Sequence, residues 1–266
     1  MRYTKKKRKE RRGIYLLPNF LTTISLLSGF YAIVSALDRR FYYAAIAIFV
    51  SCLFDMLDGR VARLTHSTSR FGVEYDSLSD VIAFGVAPGV LVYIWALRSY
   101  GDFGWLAAFL FVACGAVRLA RFNVQVDTVQ KKSFLGLPIP AAAGTIAGCV
   151  LFYRWLGYPG TFKSLSPFIS ALVPFLVYAL AFLMVSNVRY YSFKDLAFFK
   201  SKPFGSTLMA ILLLIIILSQ PALTLFIGTL GYAISGPVYT LILKLRKPAE
   251  ELTRLKERPA NQDDRP

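Results

Sequence analysis

Residues 55–80, DMLDGRVARLTHSTSRFGVEYDSLSD, combine four aspartates with small residues and lie between two apolar runs. Nine acidic residues occur between positions 20 and 243, and five of them fall in this stretch. Because an isolated carboxylate is costly inside a bilayer, such a concentration beside apolar runs indicates a functional site. The rest of the chain tells what kind of site it is.

The whole chain has the composition of a polytopic membrane protein. Of its 266 residues, 56% are hydrophobic, and apolar runs recur along nearly its full length. That is more apolar sequence than one soluble core can bury. We predict an all-α integral membrane bundle of about eight transmembrane helices, at residues 20–37, 41–62, 77–97, 103–121, 138–156, 167–185, 206–219 and 222–243. The SQPA at 219–222 fits either a turn between the last two spans or a kink in one long helix.

The distribution of basic residues predicts the orientation of the bundle. Loops on one side hold 26 Lys and Arg, and loops on the other side hold 5. Cytoplasmic loops carry the excess, so we expect both termini and the aspartate stretch on the cytoplasmic side of the cell membrane. The net charge of +16 follows from this topology and not from a basic stripe, so no nucleic-acid partner is predicted.

Three segments are expected. Residues 1–18 form a basic cytoplasmic arm, residues 19–243 form the transmembrane domain, and residues 244–266 form a charged tail that we expect to be disordered. The arm also resembles a nuclear signal or the start of a secretory signal peptide. The long apolar run that follows it favours a retained first helix, with the arm in contact with anionic membrane lipids.

Spacing predicts how the four aspartates meet. Asp55 and Asp58 are three residues apart, and Asp76 and Asp80 are four apart, so each pair shares one helix face. Two antiparallel helices can direct both pairs to one point, where two divalent cations would neutralise them. Carboxylates without a His or Cys partner favour Mg²⁺, Mn²⁺ or Ca²⁺ over zinc. Helix capping is the alternative for Asp76, but it does not explain Asp55 and Asp58.

Residues between the two pairs indicate the ligand. Gly59 and Ala62 leave a bare helix surface, which admits either a ligand or a closely packed helix. Arg63 is a cation suited to a phosphate oxygen, and residues 67–69 offer hydroxyl donors. Together with metal ions, these groups describe a phosphate or pyrophosphate site.

Eight positions of this stretch fit the pattern D-x2-D-G-x2-A-R-x8-G-x3-D-x3-D: Asp55, Asp58, Gly59, Ala62, Arg63, Gly72, Asp76 and Asp80. In this pattern the chain resembles the CDP-alcohol phosphatidyltransferases. The resemblance implies a membrane enzyme that transfers the phosphatidyl group of CDP-diacylglycerol to an alcohol and releases CMP. It also implies two divalent cations, Mg²⁺ or Mn²⁺, with Ca²⁺ as another occupant.

The same resemblance implies roles for individual residues. Asp55, Asp58 and Asp76 would ligate the two metals, and Asp80 would complete the metal site and deprotonate the acceptor hydroxyl. Contacts with CDP-diacylglycerol would come from Asn19, Thr22, Gly59, Ala62, Arg63, Ser69 and Gly72.

The acceptor is predicted from three further stretches, at 117–124, 133–144 and 185–195, which resemble the serine-using branch of this family. The carboxylate of L-serine requires a cation, for which Arg118, Arg121 and Arg189 are candidates, with Asn123 as a further polar contact. The positive-inside rule is the alternative reason for these arginines.

Two other interpretations stay open. In the first, the enzyme class is the same but the acceptor is glycerol 3-phosphate, an inositol phosphate or choline. In the second, the protein is a cation transporter, which would also use intramembrane acids. The transporter is disfavoured because the acidic motif has no second copy in the chain. The small residues Gly144 and Gly148 fit either a helix contact within the chain or a homodimer interface.

Overall fold

The computed structural model describes residues 16–65, 69–126, 134–162, 167–190 and 219–256, together with a few single positions between 205 and 215. Its main elements are α1 (Leu16–Leu37), α2 (Phe41–Leu64), α3 (Arg70–Tyr100), α4 (Asp102–Val126), β1 (Phe134–Leu135), α5 (Ile139–Trp155), α6 (Pro167–Val185), β2 (Arg189–Tyr190) and α7 (Pro221–Lys256). Most of the predicted basic arm, most of span 206–219 and the hydroxyl residues 67 and 68 lie outside the described residues.

The helices confirm the all-α membrane class. Five are long and apolar enough to cross a bilayer, namely α1 to α4 and the first part of α7, and α6 contains a shorter apolar helix. The first six predicted spans match helices, although α3 begins seven residues before its predicted span. At the SQPA sequence a bend at Gln220 precedes α7, which begins at Pro221. The total of eight spans and the cytoplasmic termini stay predictions.

Residues 244–256 of the predicted tail are helical, because α7 continues without a break to Lys256. The physical reason lies in its composition, since the run AEELTRLK consists almost entirely of good helix formers. A helix that already exists is extended at little cost, whereas starting a new one is unfavourable. The remaining residues of the tail lie outside the described part of the chain. The division of the chain into arm, transmembrane domain and tail stays a prediction.

Small residues allow the helices to approach closely. α1 packs along α2 and against α3, while α5 packs against α2 and α7, and α4 against α6. A Cβ at Gly144 or Gly148 would lie 3.0 Å from Thr229 or Phe226, both of which belong to α7. The small-residue pattern of α5 therefore serves a contact within the chain. A homodimer stays a prediction without support from this pattern.

Replacing Gly29 with alanine is expected to lower the thermal unfolding temperature, because the added methyl would lie 2.6 Å from the Cα of Ala83. Overpacking of this kind costs about 1–3 kcal/mol. Gly228 in α7 is the matched control, since a Cβ there meets nothing within 4 Å. Gly228→Ala should be neutral or stabilising through helix propensity. Equal melting temperatures of the two variants would contradict the packing of α1 on α3.

A small antiparallel sheet joins the segments before α5 and after α6, pairing Leu135 with Arg189. Gly136 has φ 79° and lies against the Met184 carbonyl, where a side chain has no room. The buried Tyr190 donates a 2.9 Å hydrogen bond to the Ala233 carbonyl of α7. Burial raises the pKa of the Tyr190 phenol, so this donor keeps its proton. The sheet thus fixes α5, α6 and α7 relative to one another.

Candidate active site

Three of the four predicted aspartates meet at one point. Asp55 near the end of α2, and Asp76 and Asp80 near the start of α3, each offer a carboxylate oxygen, and these oxygens lie within 4.8 Å of one another. Hard divalent cations bind oxygens at about 2.0–2.6 Å, so the ligands of one ion lie at most about 4–5 Å apart. Among the described residues, no second group of three potential metal ligands has this geometry.

The fourth aspartate, Asp58, lies beside this group and not within it. Its side chain is buried, and Oδ2 accepts a 2.7 Å hydrogen bond from Thr22 Oγ1 of α1. Asp58 and Asp76 both line the adjoining cavity. The three-aspartate group and the predicted nucleotide contacts therefore adjoin at these two carboxylates.

The adjoining cavity measures about 160 Å³ and is formed by α1, the end of α2 and the start of α3. Pro18 and Val73 contribute apolar walls. Its lining includes every residue predicted to contact CDP-diacylglycerol: Asn19, Thr22, Gly59, Ala62, Arg63, Ser69 and Gly72. The sequence pattern thus corresponds to one continuous surface beside the carboxylates.

The two motif glycines have different surroundings. A Cβ at Gly59 would meet nothing within 4 Å, so this glycine borders open space and does not serve close helix packing. A Cβ at Gly72 would lie 3.1 Å from Ser69 Oγ and 3.3 Å from Asn19 Oδ1. Ser69 caps α3, since its Oγ accepts a hydrogen bond from the Gly72 amide. Arg63 is exposed, and its Nε donates to the Gly59 carbonyl.

The geometry of α3 changes directly after the aspartates. Residues Val81–Val86 wind as a π-helix, and a second π-helical segment covers Tyr93–Leu97. Such segments widen the helix locally and are frequent at functional sites. Because a π-helical turn contains more residues than an α-helical turn, the side chains after Asp80 point in directions different from those of a regular α-helix. The inner face of α3 beyond the site is buried, including Ala83, Phe84 and Ala87.

Of the four predicted serine contacts, Arg118 in α4 is the one whose charge acts on the carboxylate group. Its charge interacts with that of Asp80. Within the described residues, its buried Nε has no hydrogen-bond partner. An arginine donor in a low-dielectric site that has no protein acceptor is available to a ligand. Arg118 also interacts with Tyr232 of α7, a residue that the sequence analysis did not select.

The other three predicted serine contacts have different surroundings. Arg121 donates to the Val185 carbonyl and, at 2.9 Å, to Asn187 Oδ1. Asn123 donates to Ser77 Oγ of α3. Arg189 lies exposed in β2. The stretches 117–124, 133–144 and 185–190 nevertheless come together here, through Arg121 and through the pairing of β1 with β2.

Site residues missed by the sequence analysis carried no local signal. Tyr232 lies in the middle of the apolar run 222–243 and belongs to no motif, and its interaction with Arg118 depends on the packing of α7. Pro18 and Val73 are ordinary apolar residues in the sequence, and only the assembled helices make them cavity walls.

Comparison with known proteins gives the class of this site. Residues 15–185 match the CDP-alcohol phosphatidyltransferase family. A CDP-diacylglycerol–serine O-phosphatidyltransferase of Helicobacter pylori is 40% identical over 238 residues, covering 88% of this chain and 94% of the relative. An archaetidylserine synthase of Methanothermobacter thermautotrophicus is 40% identical over 179 residues, covering 65% and 69%. A CDP-diacylglycerol–serine O-phosphatidyltransferase of Methanocaldococcus jannaschii is 36% identical over 180 residues, covering 67% and 75%.

The fold and the site define a membrane-embedded helical enzyme with a carboxylate cluster beside a cavity. The chain belongs to the CDP-alcohol phosphatidyltransferase family. The predicted family and the predicted enzyme class are thereby confirmed, and the transporter interpretation is not supported.

Proposed function

We propose that this enzyme transfers the phosphatidyl group of CDP-diacylglycerol to the hydroxyl of L-serine, forming phosphatidylserine and CMP. The observation that carries the proposal is the three-aspartate group next to a cavity lined by all seven predicted nucleotide contacts. Serine as the acceptor is supported by the Helicobacter pylori relative, which matches over nearly its whole length and is named for that reaction.

The residues fit two divalent cations, Mg²⁺ or Mn²⁺. Asp55, Asp76 and Asp80 offer oxygens at the separation that one hard cation requires. Asp58 beside Asp76 would complete a second position. When bound, such ions neutralise the carboxylates and stabilise the charge that develops on both sides of a phosphoryl transfer.

The protein residues orient and activate the acceptor. Asp80 accepts the proton of the serine hydroxyl, and the serine oxygen then forms a bond to the lipid-side phosphorus. The bond from that phosphorus to the oxygen bridging the two phosphates breaks, and the electron pair leaves with CMP. Thr22 holds the Asp58 carboxylate in place through its 2.7 Å hydrogen bond. The exposed Arg63 lies at the cavity wall, where its guanidinium can contact a phosphate oxygen.

The open surface at Gly59 gives the nucleotide room to approach the backbone of α2. Gly72 and the Ser69 cap shape the opposite wall from α3. Charge distribution supports a site that opens to the cytoplasmic side of the cell membrane, where soluble serine is available. The basic residues on that side would also attract anionic lipids. A homodimer remains compatible with this arrangement.

Arg118 is the strongest candidate for binding the serine carboxylate. Arg118→Ala should raise the KM for serine about 10–100-fold, because a charge-assisted hydrogen bond contributes about 1.5–3 kcal/mol. The KM for CDP-diacylglycerol should change far less. Initial rates at varied serine and fixed lipid measure both constants. Arg121→Ala is the matched control, since that guanidinium is already bonded to Val185 and Asn187. A larger serine effect in Arg121→Ala would move the carboxylate contact away from Arg118.

A parallel acceptor assay tests the proposed function. Purified enzyme is incubated with CDP-diacylglycerol, Mn²⁺ or Mg²⁺, and serine, glycerol 3-phosphate, inositol phosphate or choline in separate reactions. Of the four acceptors, we expect only serine to give a lipid product, which is phosphatidylserine formed with an equal amount of CMP. A different lipid product would support the same reaction class but show that the acceptor is not serine. Absence of CMP from every reaction would contradict the proposed function.

A further inference from the structure

A second polar cavity lies far from the aspartates. It measures about 210 Å³ and lies between the α1–α2 turn, the end of α5 and the loop that follows α5. Three arginines line it, namely Arg39, Arg40 and Arg154. Phe41 at this cavity and Asp55 belong to the same helix, and a rise of 1.5 Å per residue separates them by about 21 Å. The cavity is therefore at the opposite membrane interface.

This cluster is unusual for its side of the membrane. The predicted outer loops carry only 5 Lys and Arg in total, and three of these line this one cavity. Arg39 adopts φ 58°, a left-handed conformation that costs a non-glycine residue about 1–2 kcal/mol. The positive-inside rule favours basic residues in the loops of the other side, so it does not account for three arginines at this cavity.

The cavity is preformed by an aromatic cluster. Trp95 of α3 contacts Tyr153 and Phe162 at centroid distances of 5.6 Å and 5.3 Å. The Phe162 amide donates a 2.8 Å hydrogen bond to the Trp95 carbonyl, which holds the loop after α5 against α3. Tyr158 stacks on Tyr153. These contacts keep the floor and one wall rigid before any ligand binds.

Among the described residues, no protein carboxylate neutralises the guanidinium groups of this cavity. None of the described lining residues is acidic, and none of the three arginines forms an ion pair with a described residue. Arg154 lies over the Tyr42 ring, 4.5 Å from its centroid, and this contact leaves its N–H groups free at the edges to donate. Arginine forks suit the oxygens of phosphate.

We propose that this cavity binds a phosphate group at the membrane interface opposite the active site. Tyr and Trp side chains at this level are typical of lipid headgroup depth, so the expected source is the headgroup of an anionic phospholipid. Arg40 and Arg154 hold the phosphate oxygens from two sides, and the Trp95 cluster supports the floor. This proposal is independent of the acceptor used in the active site.

The test compares Arg40→Gln/Arg154→Gln with Arg98→Gln. Arg98 is an exposed arginine of the same predicted side that does not line the cavity. Each purified protein is placed in phosphatidylcholine nanodiscs with increasing phosphatidylglycerol, and bound anionic lipid is counted by native mass spectrometry. We expect the double variant to lose one lipid site with an affinity drop of about tenfold per arginine, whereas Arg98→Gln retains it. A second arm titrates inorganic phosphate against the melting temperature in neutral nanodiscs.

The outcomes separate the sources and the mechanism. Stabilisation by inorganic phosphate that is lost in the double variant would assign the site to free phosphate. A bound lipid that only the double variant loses, without any stabilisation by inorganic phosphate, would assign the site to a lipid headgroup. The double lysine variant, Arg40→Lys/Arg154→Lys, should keep part of the affinity because it keeps the charge. Equal lipid counts in Arg40→Gln/Arg154→Gln and Arg98→Gln, with no phosphate effect in either, would overturn the proposal.

Discussion

Asp80→Asn is expected to lower turnover by about 10³-fold or more, since a general base contributes about 10²–10⁴-fold. Asparagine has nearly the same shape, but its amide cannot accept the proton of the acceptor hydroxyl. The cavity that we propose for the nucleotide is lined by Asp58 and Asp76 and not by Asp80, so CDP-diacylglycerol should still bind. Single-turnover rates and equilibrium binding of CDP-diacylglycerol measure the two effects separately.

Glu74→Gln is the matched control for this variant. Glu74 lies on the same helix between the motif positions, is exposed and does not belong to the carboxylate group. Its replacement should leave both turnover and binding near those of the unchanged enzyme. If Asp80→Asn instead lost nucleotide affinity in parallel with activity, Asp80 would act mainly as a metal ligand and the base would have to be another group.

Asp55→Asn is expected to abolish turnover by removing a metal ligand. Asp55 is the one member of the three-oxygen group that α2 supplies, so the ion would lose its link between the two helices. Outer-shell changes alone cost about 10–100-fold in metal affinity, and loss of a direct ligand should cost at least about 100-fold. Calorimetric titration of Mn²⁺ into metal-free protein measures this loss.

Asp38→Asn serves as the control for Asp55→Asn, because Asp38 is an exposed acid at the opposite end of the α1–α2 pair. It should bind Mn²⁺ and turn over like the unchanged enzyme. Excess Mn²⁺ should restore part of the activity of Asp55→Asn, since its remaining ligands are intact. If Asp55→Asn bound Mn²⁺ as tightly as the unchanged enzyme, Asp55 would not be a metal ligand.

Helix periodicity and motif spacing were sufficient to predict much of the site. Asp76 and Asp80 lie together because positions four apart share a helix face, which is a local property of the chain. Asp55 joins them through the packing of α2 beside α3, which spacing alone does not predict. Of the seven predicted nucleotide contacts, Asn19, Thr22 and Gly72 required the family resemblance, and the first two lie more than thirty residues before Asp55. Their meeting with Gly72 depends on the packing of α1 on α3.

What the sequence did not predict depends on contacts between distant elements. Arg118 and Arg121 have different partners, since the Arg121 guanidinium donates to Asn187 whereas the charge of Arg118 acts on Asp80. The π-helical turns of α3 have no recognised sequence signal. The extension of α7 was hidden by the charge of its sequence, which resembles a disordered tail as much as an exposed helix.

Electron paramagnetic resonance of Mn²⁺-loaded protein tests the central claim, that the intramembrane aspartates hold a pair of divalent cations. Metal-free protein is titrated with Mn²⁺, and the spectrum is compared with that of Asp55→Asn. Ions in two-metal sites lie about 3.5–4 Å apart, so we predict two bound Mn²⁺ per chain with the broadened spectrum of a coupled pair. A single uncoupled ion, or a spectrum unchanged in Asp55→Asn, would contradict the claim.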